Sequence, residues 1–327
     1  PICVFLTVLK VPESKDYVKS NISPIKGFKI MLENSPFKRL IMAFIPYDLQ
    51  YPNVQSTSVI FCSPHSGRFY PDDFIQNSVL DERTIRSSED AFVDELVSQV
   101  TDFGALFLKA LLPRAYVDLN RNSNELDPAL IKGVHNQKTN SRINSGLGVI
   151  PRVVGGGREI YNGKIPNAEA EMRIKHFWRP YHNILRDIVS STRVQFGEVI
   201  LVDCHSMPSN QSLDNVAKRR NIPEIVLGDG FGASSKKSIM DALENEFLTA
   251  GFTVSRNIPF SGAFTVKEYG SPETNENVIQ LEICRSLYMD EDNLCLNNNF
   301  SEFKDVLGEV LKNIANIGKR EPSIAAE

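Results

Sequence analysis

Two histidines close apolar runs in this chain. His65 follows Val59-Ile60-Phe61-Cys62-Ser63-Pro64, and His205 follows Val199-Ile200-Leu201-Val202-Asp203-Cys204; a serine comes after each. Neutral imidazole is the commonest metal ligand, and with only five histidines in 327 residues two so placed exceed what composition supplies. The competing reading is a hydrogen-bonded structural histidine near a sheet edge, and it is preferred for His135, His176 and His182. A catalytic zinc takes three protein ligands and leaves one position open. Asp90 is the candidate third ligand, at the start of an expected helix where it could face the sheet; Glu89, Asp94 and Asp72 are its rivals. Acids at helix N-termini are also favoured by the dipole alone, so Asp90 carries that plainer explanation too.

Further along, Glu282 sits inside Val278-Ile279-Gln280-Leu281-Glu282-Ile283-Cys284, an apolar run where a carboxylate is costly unless paired or put to use. Beside a metal it could take a proton from water and return it to a leaving amine. Its structural alternative is an inward acid paired to Arg285 or Lys267. Between the two histidine runs lie Arg114 and Asp118-Leu119-Asn120-Arg121-Asn122. A guanidinium grips a carboxylate through two parallel hydrogen bonds and an Asn amide adds a donor, so Arg114, Asn120 and Arg121 suit a substrate bearing a carboxylate.

Positioning these groups requires strands that end together. Residues 58–62 and 199–204 read as buried strands, and in an open α/β sheet ligands gather at the carboxyl ends of the strands. Short apolar runs alternate with helical patterns from residue 57 onward, which predicts an α/β layer structure. Ser88 is a plausible N-cap for a helix carrying Val93, Leu96, Val97 and Val100 on one face. A second helix is expected from Asn167 to about residue 194, with Trp178, Tyr181, Leu185, Ile188 and Val189 inward and Gly197 closing it. Another spans 236–249, with a strand near 252–256. The glycine- and asparagine-rich stretch 122–166 is long for a compact domain and suggests a substrate lid. The expected division is an N-terminal segment 1–56, one α/β domain over 57–318 with that insertion, and a frayed tail over 319–327.

Composition excludes several classes. With a net charge of −4 and no stripe of Lys and Arg interleaved with aromatics, the chain lacks the electrostatic footprint of a nucleic-acid binder. Five scattered cysteines (Cys3, Cys62, Cys204, Cys284 and Cys295) suit reduced thiols better than a disulfide framework, so a reducing, cytoplasmic setting is expected. The opening Pro1–Leu9 run has no basic region or cleavage site, and no apolar run is long enough to span a membrane, so a soluble protein is expected.

Taken in order, Ser-Pro-His65-Ser-Gly, Asp90, Arg114, Asp-Leu-Asn120-Arg121, Pro180-Tyr181-His182, Asp203-Cys-His205-Ser, Phe260-Ser-Gly262, Tyr269-Gly270, Gln280-Leu-Glu282 and Leu-Tyr288-Met resemble the N-formylglutamate amidohydrolase family over about residues 57 to 292. The resemblance implies a three-layer αβα fold with a central mixed sheet, phosphorylase/hydrolase-like and related to zinc carboxypeptidases. It implies one zinc per chain on His65 and His205, a carboxylate clamp of Arg114, Asn120 and Arg121, and Glu282 as acid/base. The implied reaction is hydrolysis of the amide of an N-acyl, chiefly N-formyl, amino acid such as N-formylglutamate. Two departures stand out. Carboxypeptidase relatives carry a ligand Glu three residues after the first histidine, where this chain has Arg68, which directs the search for an acid to Asp90. Lys267 stands where the histidine-degradation branch has an Arg, keeping the charge without the bidentate fork. The alternatives are a carboxypeptidase-like peptidase on short peptides and a catalytically silent binding protein for an acidic metabolite.

Overall fold

The computed structural model describes residues 45–135, 140–209 and 223–319, and before them the antiparallel strand pair Lys29–Met31 and Ile41–Ala43. Cys3, the Pro1–Leu9 run and residues 320–327 of the expected tail lie outside the described residues. Two compact units divide between Phe44 and Ile45, so the stretch 45–56 groups with the larger, C-terminal unit.

A seven-stranded mixed sheet forms the centre of the larger unit. Its strands are β1 (Tyr47–Gln50), β2 (Val59–Ser63), β3 (Leu106–Ala110), β4 (Val199–Met207), β5 (Ile225–Gly228), β6 (Val254–Arg256) and β7 (Glu276–Cys284). Their spatial order is β6-β5-β7-β4-β2-β3-β1. β3, β2, β4 and β7 run parallel, whereas β5 is antiparallel to β7 and β1 antiparallel to β3. The edge strand β1 precedes residue 57, where the sequence pattern alone places the start of the domain. Every residue of β2 and β4 is buried, which explains why these strands read as unbroken apolar runs and not as alternation.

Helices cover both faces. On one side α1 (Val93–Val97), α3 (Lys237–Thr249) and α5 (Phe300–Ile317) bury Leu96, Phe247 and Leu311 against Phe61, Val202 and Leu281. On the other, α2 (Arg179–Phe196) lays Tyr181, Leu185, Ile188 and Val189 over Ile60, Leu108 and Leu201. α2 continues an Asn167–Arg173 helix through a π turn at Ile174–Trp178, and Gly197 ends it in the left-handed region at φ 78°. The 122–166 segment joins this second face: Leu130, Ile131, Val149, Ile150 and Ile160 are fully buried there. Those five side chains anchor the described part of the segment to the core.

Candidate metal centre

Strand alternation builds the polar end of the sheet. In β4, Val199, Leu201, Asp203 and His205 share one face, and in the adjacent parallel strand Val278, Gln280 and Glu282 do the same, with Asp203 opposite Gln280 and His205 opposite Glu282. The face is apolar towards the amino ends and polar towards the carboxyl ends. His65 joins it from two residues beyond β2, in a turn closed by Gly67; a Cβ on Gly67 would stand 2.2 Å from the Leu112 carbonyl oxygen, so only glycine fits.

Asp90 arrives differently from the expectation. A 3-10 turn at Arg86–Ser88 ends before it and α1 begins three residues after it, with Phe92 between at φ 64°, so Ser88 caps no helix and Asp90 sits in a loop. The Asp90 amide donates to the His65 carbonyl at 3.0 Å, which ties this loop to the histidine turn. His205 Nδ1 lies 3.1 Å from His65 Nδ1 and 3.0 Å from Asp90 Oδ2, and His65 Nδ1 is 3.4 Å from the same oxygen. These three buried side chains are the group among the described residues able to hold a metal ion.

The groups behind each ligand fix its lone pairs. Asp118 Oδ1 is 2.8 Å from His65 Nε2 and Asp203 Oδ2 is 3.0 Å from His205 Nε2. A carboxylate only accepts, so each imidazole carries its proton on Nε2 and turns a bare Nδ1 towards the other. Two lone pairs and a carboxylate oxygen pressed this close repel one another unless a cation lies between them. Tetrahedral zinc, with bonds of roughly 2.0–2.1 Å, holds its ligand atoms roughly 3.3 Å apart, so the observed triangle fits. Without a cation the triangle attracts a proton. Burial opposes charge on His205, yet Asp203 and Asp90 hold its pKa well above the ordinary imidazole value. Burial likewise opposes ionisation of Asp90, and in that protonated, cation-free state His205 and His65 keep it well below the carboxylate range.

Around the triangle, Asp118 is also bound by Arg114 Nη2 at 2.8 Å; burial raises its pKa, but Arg114 and His65 outweigh that and leave it ionised. Asn120 Nδ2 reaches Asp203 Oδ2 at 3.2 Å, and its Oδ1 accepts from the Thr265 amide at 2.8 Å. Arg121 is 8% exposed; its Nε donates to the Leu147 carbonyl and its Nη1 to the Asn120 carbonyl, and no ion pair among the described residues includes it. Burial, with Arg114 and Arg142 nearby, lowers its pKa despite Asp118. Glu282 accepts from Gln280 Nε2 at 2.7 Å. Burial and the charge of Asp90 push Glu282 up to about 7 against the pull of His205 and Arg114.

The family model for N-formylglutamate amidohydrolase matches residues 57–289. The chain belongs to that family. It is 29% identical over 237 residues to the N-formylglutamate deformylase of Pseudomonas aeruginosa, covering 71% of this chain and 82% of that one. With the Pseudomonas putida N-formylglutamate deformylase it shares 27% identity at the same coverages. The crystal structure of N-formylglutamate amidohydrolase from Ralstonia eutropha has a TM-score of 0.78 at 32% identity, over 84% of this chain and 99% of that one. Members of this family are amidohydrolases, and the α/β fold with its mixed central sheet is shared.

The other residues singled out in the sequence stand around the triangle or away from it. His135 and His176 are exposed. His182 is buried between Leu119 O and Tyr269 Oη, each at 2.8 Å, and burial lowers its pKa to about 4, so it is a neutral strut holding α2 to the Asn120 loop. Arg285 pairs with Asp90, and Glu282 has neither Arg285 nor Lys267 as an ion-pair partner. Lys267 is exposed on α4 (Phe264–Tyr269). Arg68 turns to Asp94 and Glu95, at 2.6 and 2.9 Å. The orienting roles of Asp118 and Asp203 went unread, although an acid two residues before a histidine in a strand always shares its face.

Proposed function

We propose that the protein hydrolyses the formyl amide of an N-formyl amino acid, N-formylglutamate first among candidates, releasing formate and the free amino acid. The single observation carrying this is the convergence of His65 Nδ1, His205 Nδ1 and Asp90 Oδ2 on one point beside Glu282, in a chain whose relatives are named for N-formylglutamate. His65, Asp90 and His205 would hold one zinc ion, which when bound supplies a Lewis acid for a carbonyl oxygen and lowers the pKa of water.

The chain's own residues do the rest. Glu282, with its pKa near neutrality, takes a proton from the attacking water as the C–O bond forms, then delivers it to the amide nitrogen as the C–N bond breaks. Arg121, buried without an ion-pair partner among the described residues, receives the substrate's carboxylate with Arg114 and Asn120 beside it. Lys267 supplies an outer point charge for a second carboxylate. The free thiols of Cys62, Cys204, Cys284 and Cys295 favour a reducing compartment such as the cytoplasm.

N-formylglutamate, other N-formyl and N-acetyl amino acids and short dipeptides, assayed with added zinc and after chelation, test this reading. Metal-dependent release of formate from N-formylglutamate is expected, and preferred cleavage of dipeptides would overturn it. Arg121→Ala is expected to lower kcat/KM by about 10²- to 10⁴-fold, since two charge-assisted hydrogen bonds are worth roughly 1.5–3 kcal/mol each.

A further inference from the structure

Asp90 reaches the two histidines from a loop without regular structure, which raises the question of what holds it. The answer comes from the carboxyl end of β7. Arg285, the residue immediately after β7, is buried and points at this loop. Its Nη2 donates to the Glu89 carbonyl at 2.6 Å and to Asp90 Oδ1 at 3.3 Å, and its Nε donates to Ser206 Oγ at 3.0 Å. Ser206 Oγ donates in turn to Asp90 Oδ1 at 3.2 Å. One guanidinium therefore grips the loop twice, at the backbone before Asp90 and at the carboxylate itself. All its contacts to Asp90 fall on Oδ1, leaving Oδ2 to face His65 and His205.

A second group secures the same loop from outside. Glu89 accepts from Tyr70 Oη at 2.6 Å and from Arg86 Nε at 3.0 Å. That network touches Glu89 alone, whereas Arg285 touches the ligand. Lysine could not reproduce it, since an ammonium is a single point and the contacts to Ser206 and Glu89 require a fork.

We infer that Arg285, with Ser206, is the positioning residue that presents Asp90 Oδ2 to the metal. The inference rests on the metal reading of His65, Asp90 and His205. Groups that orient a metal's ligands typically govern 10- to 100-fold in affinity.

Zinc affinity, measured by competition with a chromophoric chelator, separates the two ideas. Wild-type protein that binds zinc and Asp90→Asn protein that does not establish the metal reading; stoichiometric zinc held equally well by Asp90→Asn would overturn that reading, and this inference with it. With the reading established, Arg285→Met is expected to weaken zinc about 10- to 100-fold. Arg285→Lys should recover only part of the loss, and Ser206→Ala should show a smaller loss in the same direction. The visible spectrum of the cobalt-substituted protein should change in intensity for Arg285→Met and Ser206→Ala. Should Arg285→Met fail to fold, Arg285→Lys and Ser206→Ala carry the test. Folded variants with wild-type zinc affinity and an unaltered cobalt spectrum would overturn the inference.

Discussion

A carboxyl group buried beside another acid ionises reluctantly, and at Glu282 the result is a pKa of about 7. Activity and stability respond to it with opposite signs. As general base Glu282 acts ionised, so kcat/KM should fall as pH drops through an acid limb at or below 7; a bound cation moves that limb lower. Glu282→Gln should erase the limb and reduce kcat by about 10²- to 10⁴-fold, as a pH–rate profile would read. For stability the sign reverses: an acid whose folded pKa is raised favours folding below its unfolded value near 4.5, and that contribution is lost as pH rises through 7. Chelated Glu282→Gln protein should therefore be more stable than chelated wild type at pH 8, by up to roughly 2–3 kcal/mol in a denaturant titration, and nearly equal at pH 4. The acid was visible in the sequence because it interrupts an apolar run. Its partners were not: Arg285 is three residues away in sequence, yet the strand's end directs it to Asp90.

The elements differ in how far sequence alone specifies them. β2, β4 and α2 were legible because burial imposes a continuous or 3.6-residue pattern on their side chains. The start of α1 was not, because Glu89 and Asp90 are drawn to Arg86 and His205 and the chain stays extended there despite a good local capping signal. His182 shows the reverse case, a helix residue whose polar tip does its work at the neighbouring loop. Its folded pKa of about 4 lies below the unfolded 6.5, so its contribution is complete above 6.5 and fades as pH falls towards 4. Wild-type thermal stability should thus decline between pH 7 and 4.5 more steeply than that of His182→Gln, by up to roughly 3 kcal/mol, and parallel decline of the two melting curves would refute this.

Across the whole molecule, the site draws on the turns after β2 and β3, on the carboxyl ends of β4 and β7 and on the loop before α1, and an ion on His65, His205 and Asp90 would link three of them. Ligand binding to the native state alone stabilises by about 4 kcal/mol at a thousandfold excess over Kd, so chelation should lower Tm and remove activity together, and zinc should restore both. Scanning calorimetry with and without chelator checks this; a Tm indifferent to metal would argue against it. The layer arrangement was legible from the alternation of patterns, whereas the order of strands was not, since pairing depends on contacts far apart in sequence. That order has a consequence for synthesis. β7 is the last strand of the central sheet to leave the ribosome, yet it lies between β4 and β5. A nascent chain ending before Glu276 holds two half-sheets, each with an open apolar edge and no partner to close it. The strand that seals the seam also delivers Glu282, so an incomplete chain cannot be active, and unfinished chains are the species most in need of chaperone protection.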